Sequence, residues 1–281
     1  MMRCLLIISL LAAILISCGN NEKSAEKKVK QTKNVILSYE PIIVKDSVWK
    51  DLINNGERSE KAAIVRYEYF KITDSSKVYE ENVNDWIKEN AEFFVFGEEN
   101  RKAKNVSIGK DFFLKLLNSF SDSYYEFGDE EYSVWNLDAS ISIDNTFDNF
   151  VYVKNFVYSF AGGAHGNAVF EGAYFEKLSG QRLKLKDFFK DTKKLTQIAE
   201  KYFRLAMEMP KNQTYEEAGF WFENDRFFLN ENFSFSENSI EFSYGQYEIA
   251  PYSMGMPSFE IPINEVKHLL KINLVKTKTN A

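Results

Sequence analysis

The 281 residues suffice for one large domain or two small ones, and a hydrophobic content of 44%, with 25 Phe and 15 Tyr, supports a substantial sheet-rich core. The net charge of −6 argues against nucleic-acid binding, because phosphate is repelled and no basic, aromatic-laced segment offsets the repulsion. Both cysteines, Cys4 and Cys18, precede the body of the protein, so the body has no intramolecular disulfide and rests on burial alone.

Met1 to Arg3 is a short basic start, and Leu5 to Ile16 is an apolar run broken only by Ser9. The run falls short of the about 20 residues of a membrane span and fits the core of a secretion signal. Leu15-Ile16-Ser17-Cys18 resembles the lipobox of bacterial lipoproteins. That resemblance implies cleavage before Cys18, a diacylglycerol on its sulfur and acylation of the new amino terminus. Each buried methylene contributes about 0.8 kcal/mol, so several chains anchor firmly without a membrane helix. An uncleaved anchor helix and an ordinary signal are the alternatives; position, length and motif together favour the lipoprotein. Residues 18–34 are rich in Lys, Glu, Asn and Ser and read as a flexible tether.

The folded part is expected from Val35, with short edge strands at Val35–Leu37 and Pro41–Val44 and a strand over Ala62–Ile72. Asp74-Ser75-Ser76 offers capping oxygens to a helix marked by Val83, Trp86, Ile87, Ala91 and Phe94, ended by Gly97. A second helix carries the stripe Phe112, Phe113, Leu116, Leu117, Phe120 and Tyr124. Trp135 to Asp144 alternates apolar with polar residues, as a strand with one wet face does. Asn145-Thr146 turns the chain into a strand over Phe147–Phe160.

Gly162 and Gly163 then stop that strand, and the turn they open holds His165 and Gly166 before a strand over Val169–Phe175. This turn reads as a hinge between two halves, 35–161 and 162–275. Ser179-Gly180 leads into a return strand through Leu183 and Leu185. Asp191 or Thr192 caps a third helix with the face Leu195, Ile198, Ala199, Tyr202, Ala206 and Met209, stopped by Pro210. A hairpin crosses Glu237-Asn238, a loop spans Ala250–Ser258, Phe259–Ile261 is the last strand, and Asn264 caps a short helix with Val266, Leu269 and Leu270. The tail after Asn273, and 276–281 in particular, is expected to fray. The fold class is α+β: a mostly antiparallel sheet with helices packed on one side, in two similar-sized halves.

No pattern carries a catalytic chemistry. His165 and His268 are the only imidazoles, and neither HExxH nor CxxC occurs, so no metal or cofactor site is expected. The acidic pairs and triplets at 98–99 and 129–131 lack calcium-loop spacing. Neither a GxSxG elbow nor a phosphate-binding loop is present, and the Ser-x-x-Lys matches at Ser24, Ser47 and Ser107 lack their companion motifs. A glycosidase using two distant carboxylates leaves no local signature and stays open.

Two stretches carry a family resemblance. One is Tyr158-Ser159-Phe160-Ala161-Gly162-Gly163-Ala164-His165-Gly166, followed by Ser179 to Phe189. The other is Tyr247-Glu248-Ile249-Ala250-Pro251-Tyr252-Ser253-Met254-Gly255, followed by Phe259 to Pro262. Over about 40–272 the chain resembles the tandem extracytoplasmic domains of lysozyme-sensing anti-sigma factors, and a module that precedes the catalytic domain of some peptidoglycan deacetylases. The resemblance implies an α+β fold and, from the anti-sigma members, lysozyme binding. Only Met1 to Cys4 precede the apolar run, so an anti-sigma role is not expected, and no deacetylase domain is expected.

The expectation is therefore a non-enzymatic envelope lipoprotein, held to a membrane through Cys18, that binds a protein such as lysozyme or another wall-active protein. Tyr247, Pro251, Tyr252, Gly255 and His165 are the candidate binding residues, and Gly162, Gly163 and Gly166 the structural turn. For His165 the alternative is a turn-pinning histidine, and for the tyrosines a place in the core. An envelope assembly subunit and a wall-glycan or peptide enzyme with His165 as general base are the other two functions considered. Gly19 to Glu22 carry no aspartate to mark inner-membrane retention, which leaves the membrane and its face open.

Overall fold

The computed structural model describes residues 39–54, 57–72, 77–96, 108–127 and 135–276. The signal segment, Cys18, the tether, the Val35–Leu37 strand, the 74–76 cap, Gly97, both acidic clusters and residues 277–281 lie outside these.

The fold is α+β. A six-stranded sheet runs in chain order through β1 (Tyr39–Asn54), β2 (Glu57–Ile72), β3 (Trp135–Asp144), β4 (Phe150–Phe160), β5 (Asn167–Glu176) and β6 (Arg182–Leu183). Neighbours are antiparallel except β2 and β3, which are parallel. A parallel pair needs a crossover, and here it holds α1 (Lys77–Phe96) and α2 (Lys110–Phe127). Their apolar stripes cover one face of the sheet. Trp86, Ile87, Phe113, Leu116 and Leu117 pack on Leu137, Ala139, Val151, Val153, Val157 and Phe175.

The opposite parity of the same strands, Phe150, Tyr152 and Tyr174, belongs to a second core. There it meets α3 (Leu185–Phe188), α4 (Thr192–Ala206) and a small sheet of β7 (Phe233–Phe235), β8 (Ser239–Ser243) and β9 (Ser258–Pro262). α5 (Ile263–Val266) follows β9 and adds Val266. Phe203 of α4, wholly buried, has six rings with centroids 5.1 to 6.0 Å away, among them Phe220, Phe222, Tyr244 and Phe259. The hinge expected at Gly162 is the hairpin turn between β4 and β5, so the boundary expected at 161/162 falls inside one sheet.

Several expectations shift. β1 and β2 are single strands of 16 residues each. β4 starts at Phe150, and Phe147 instead bridges Lys276. The return strand ends at Leu183, because Lys184 and Asp187 bond reciprocally and start α3. Asp191 caps α4 through Lys194 N–H at 2.8 Å. Its buried stripe is Leu195, Ala199 and Phe203, whereas Ala206 is exposed. The helix ends before Pro210, where Glu208 takes φ 53° and Met209 N–H reaches Arg204 O. Asn264 lies within α5, and Pro262 stands at its cap. Val275 and Lys276 are held, by Asp148 N–H on the Val275 carbonyl and a 2.7 Å ion pair to Glu237.

Candidate functional site

The β4–β5 turn is built on glycine for two reasons. Gly162 and Gly163 both have φ near +85°, which side-chain-bearing residues rarely adopt. Gly166 is needed for space: a Cβ there would lie 2.4 Å from Oη of Tyr158, whose ring covers it. His165, held between them, is exposed. Its Nδ1 donates to Gly166 O at 3.0 Å, which leaves Nε2 to accept from Tyr247 Oη at 3.3 Å in the neutral ring. One ring face stacks on Tyr252, with centroids 3.6 Å apart and planes at 13°.

The partner loop is anchored at both ends. Tyr244 is buried and donates its hydroxyl to Phe228 O at 2.5 Å; burial pushes its pKa far above the ordinary tyrosine range. Ile249 and Ala250 are buried as well. Between these anchors, Glu248 accepts Gly245 N–H at 2.7 Å and Gln246 accepts Ala168 N–H of β5 at 2.8 Å. The loop is thereby pinned to the strand that leaves the histidine turn. This bend places Tyr247 at φ 63° with 51% of its surface exposed. Pro251 then opens a single 3-10 turn over Tyr252–Met254, closed by Gly255 at φ +69°.

His165, Tyr247 and Tyr252 thus meet in one exposed cluster, with Tyr247 and Tyr252 centroids 5.9 Å apart. Pro251 and Gly255 shape the loop. His268 is exposed near the C-terminal end of the described chain. Trp221 is a neighbour that sequence reasoning missed. It is 49% exposed, its Nε1 donates to Glu248 O, and its own N–H bonds Ile249 O. The signal was present in Phe220-Trp221-Phe222, where the flanking rings are buried and the central one is turned outward.

Beside this cluster a polar cleft of about 320 Å³ runs along the free edge of β5, lined by Gly172, Arg182, Asn230, Glu231, Asn232 and Glu248 among others. Much of its polar lining is already engaged. Asn232 accepts Gly172 N–H and donates to Phe170 O, as a neighbouring strand would. Glu231 accepts Leu185 N–H, and Glu248 takes Asn230 and Gly245. Among the described residues no group of three or more His, Cys, Asp or Glu could hold a metal ion.

Residues 186–264 match the family described as protein of unknown function DUF3298. The fold resembles a DUF3298 family member from Bacteroides fragilis, at 18% identity and TM-score 0.63, over 86% of this chain and 96% of that one. It also resembles a DUF3298 family protein from Pseudomonas aeruginosa, at 17% identity and TM-score 0.58, over 87% of this chain and 99% of that one. No curated protein matches the sequence.

Proposed function

We propose that this DUF3298-containing chain is a lipid-anchored envelope protein that binds a protein partner through the cluster of Tyr247, Tyr252, His165 and Trp221. The observation that carries the reading is Tyr247. A non-glycine residue in the left-handed region costs on the order of 1 kcal/mol, and a half-exposed ring recovers only part of that by burial. Such strain is understandable where the ring serves contact with something else. Tyrosine and tryptophan on pinned turns are rigid amphipathic anchors that lose little entropy on binding.

The exposed Glu216, Glu217, Glu223 and Glu248 come from the same two segments, and together with the net charge of −6 they favour a basic partner. Lysozyme, or another cationic wall-active protein, has that chemistry, and it is the partner implied by the resemblance to lysozyme-sensing domains. The lipid on Cys18 would hold the binding domain where such proteins act. The reading is non-enzymatic: both nitrogens of His165 are occupied and one ring face is covered. That arrangement suits an ordered contact surface better than a general base.

The test is calorimetric titration of the full chain in detergent with lysozyme. Saturable binding, weakened about thirtyfold or more in Tyr252→Ala or Trp221→Ala with an unchanged melting curve, supports the proposal. Binding no tighter than to a neutral protein of equal size overturns it. If instead a stoichiometric partner from the cell's own envelope binds and is lost in the same variants, the role is that of an assembly subunit.

A further inference from the structure

Among the described residues, the second core covers β4 and β5 at one end of their second face. Phe150 and Tyr152 of β4 lie under the small sheet, but the same parity continues to Phe156 and Tyr158, 41% and 37% exposed. Phe156 pairs across the ladder with Phe170 of β5, so the two rings share this face. On the other side of β4 stand Ser140, opposite Phe156, and Asp138, opposite Tyr158. Asp138 is bonded at 2.9 Å by Arg66, which also pairs with Glu68. The small sheet forms a wall over Phe170. Glu241, Ser243, Ser258 and Met256 border, with Phe170, a groove of about 260 Å³. Lys154, on the same face, lies over the Tyr152 ring at 5.6 Å.

The lining therefore combines flat aromatic surface with single hydroxyls, carboxylates and one amide, Asn232. Its few charges are of both signs, and the guanidinium is already paired. An anionic ligand would face Glu241, Asp138 and Glu68. A lipid chain would leave the polar wall desolvated and unmatched. A neutral pyranose fits both sides: its C–H face lies on an aromatic ring, and its rim of hydroxyls meets acceptors and donors that water otherwise fills. Rings at alternate strand positions are about 7 Å apart along β4 and stand in a row, which suits an extended, ribbon-like chain of sugars.

We infer that this face binds a neutral β-linked glycan chain, with Phe156, Tyr158 and Phe170 as the stacking floor and Glu241, Ser243 and Ser258 as the polar wall. The floor reaches the histidine turn, where the Tyr158 ring covers Gly166, but it uses none of Tyr247, Tyr252 and Trp221, so variants of those residues tell the two readings apart.

The experiment is calorimetric titration of the full chain in detergent with chitotetraose, cellotetraose and maltotetraose. Saturable binding of a β-linked tetrasaccharide with Kd below about 1 mM is expected, weakened about tenfold or more in Phe156→Ala and retained in Phe156→Tyr. Ser243→Ala should weaken it less, and Trp221→Ala should leave it unchanged. Absence of saturable binding to both β-linked sugars overturns the inference. So does equal binding in wild type and Phe156→Ala, or maltotetraose binding as tightly, since its coiled chain does not follow a straight row of rings. A short peptide that binds in place of the sugars, and is lost in Phe156→Ala, would assign the face to a protein chain and overturn the inference as well.

Discussion

Gly166 and Gly172 present the same steric problem with opposite outcomes. At Gly172 a Cβ would lie 1.8 Å from Tyr152 Oη and 2.3 Å from Cζ; at Gly166 it would lie 2.4 Å from Tyr158 Oη and 2.5 Å from Cζ. Ordinary contact begins near 3.4 Å, so in both alanine variants the tyrosine ring has to move. Tyr152 is 3% exposed and stacked on Tyr174 with centroids 4.5 Å apart, and its neighbours belong to a close-packed core. Overpacking of that kind costs about 1–3 kcal/mol, which for a protein of this size lowers the melting midpoint by roughly 2–12 °C. Tyr158 is on the bare face and can swing into solvent. The lost contact there is partly offset by the about 0.4–1 kcal/mol that Gly→Ala removes from unfolded-chain entropy, so Gly166→Ala should melt within a few degrees of wild type. Its effect should appear instead as a displaced Tyr158 and weaker ligand binding on that face. Differential scanning calorimetry of the two variants side by side decides the matter. If Gly172→Ala melts with wild type, or if Gly166→Ala is the less stable of the pair, the argument from ring mobility fails.

Tyr152→Phe should be neutral or stabilising by up to about 1 kcal/mol, because the hydroxyl is buried without a hydrogen-bond partner among the described residues; a loss beyond that in a denaturant titration would reveal a partner for it. Tyr247→Gly should change stability by less than about 1 kcal/mol, because relief of the left-handed conformation is offset by the freedom glycine gives the unfolded chain and by the lost contacts to His165 and Tyr252, so lysozyme titration should weaken while melting barely moves. Burial raises the pKa of Tyr69, Tyr152, Tyr174 and Tyr244 above the ordinary 10.0, so the folded state keeps protons that the unfolded state releases. Their stabilising contribution is complete below pH 10 and declines above it, and phenolate absorbance from these four should rise only together with unfolding. Phe203→Ala should cost about 3–5 kcal/mol and shift the denaturant midpoint more than any exposed-site variant, since all six ring neighbours lose packing.

The elements most legible in the sequence are those with one buried and one wet face. β3 alternates without a break, and its observed limits coincide with the expected ones. α2 is legible because its stripe is continuous, and Asp191 because a cap lies just before a periodic run. β1 and β2 are less so, since charged pairs such as Lys45-Asp46 and Glu60-Lys61 interrupt the alternation that marks a strand. α4 shows how little separates two neighbouring stripes on a helix: Phe203, one position beyond Tyr202, is its most buried ring. At the site, both partners of the stack were recognisable as unusual turns, but their meeting was not. His165 and Tyr252 are brought together by Gln246, which accepts Ala168 N–H of β5, and by a buried Ile249-Ala250 step, neither of which has a periodic signature. Trp221 lies in a segment without regular alternation beyond its two neighbours, so its outward position becomes evident only with the bonds to residues 248 and 249.

Exposed rings and a strained tyrosine lie close to the β4–β5 turn. β3 turns polar on its bare face, with Asn136, Asp138, Ser140 and Ser142, as a strand serving only the fold would do. β4, its direct neighbour, keeps aromatic rings on that face beyond the point where any core covers them. A few residues away a tyrosine is held in a left-handed turn with half its surface in water, beside a half-exposed tryptophan. Farther along β4 and β5, Phe150, Tyr174, Phe188, Phe233 and Phe235 are buried and contact one another, several of the pairs edge to face. Packing alone gives no reason for two adjacent strands to follow different rules on one surface. The proposed contacts with something outside the chain would supply one, because exposed rings and a strained anchor recover their cost when a partner removes them from water.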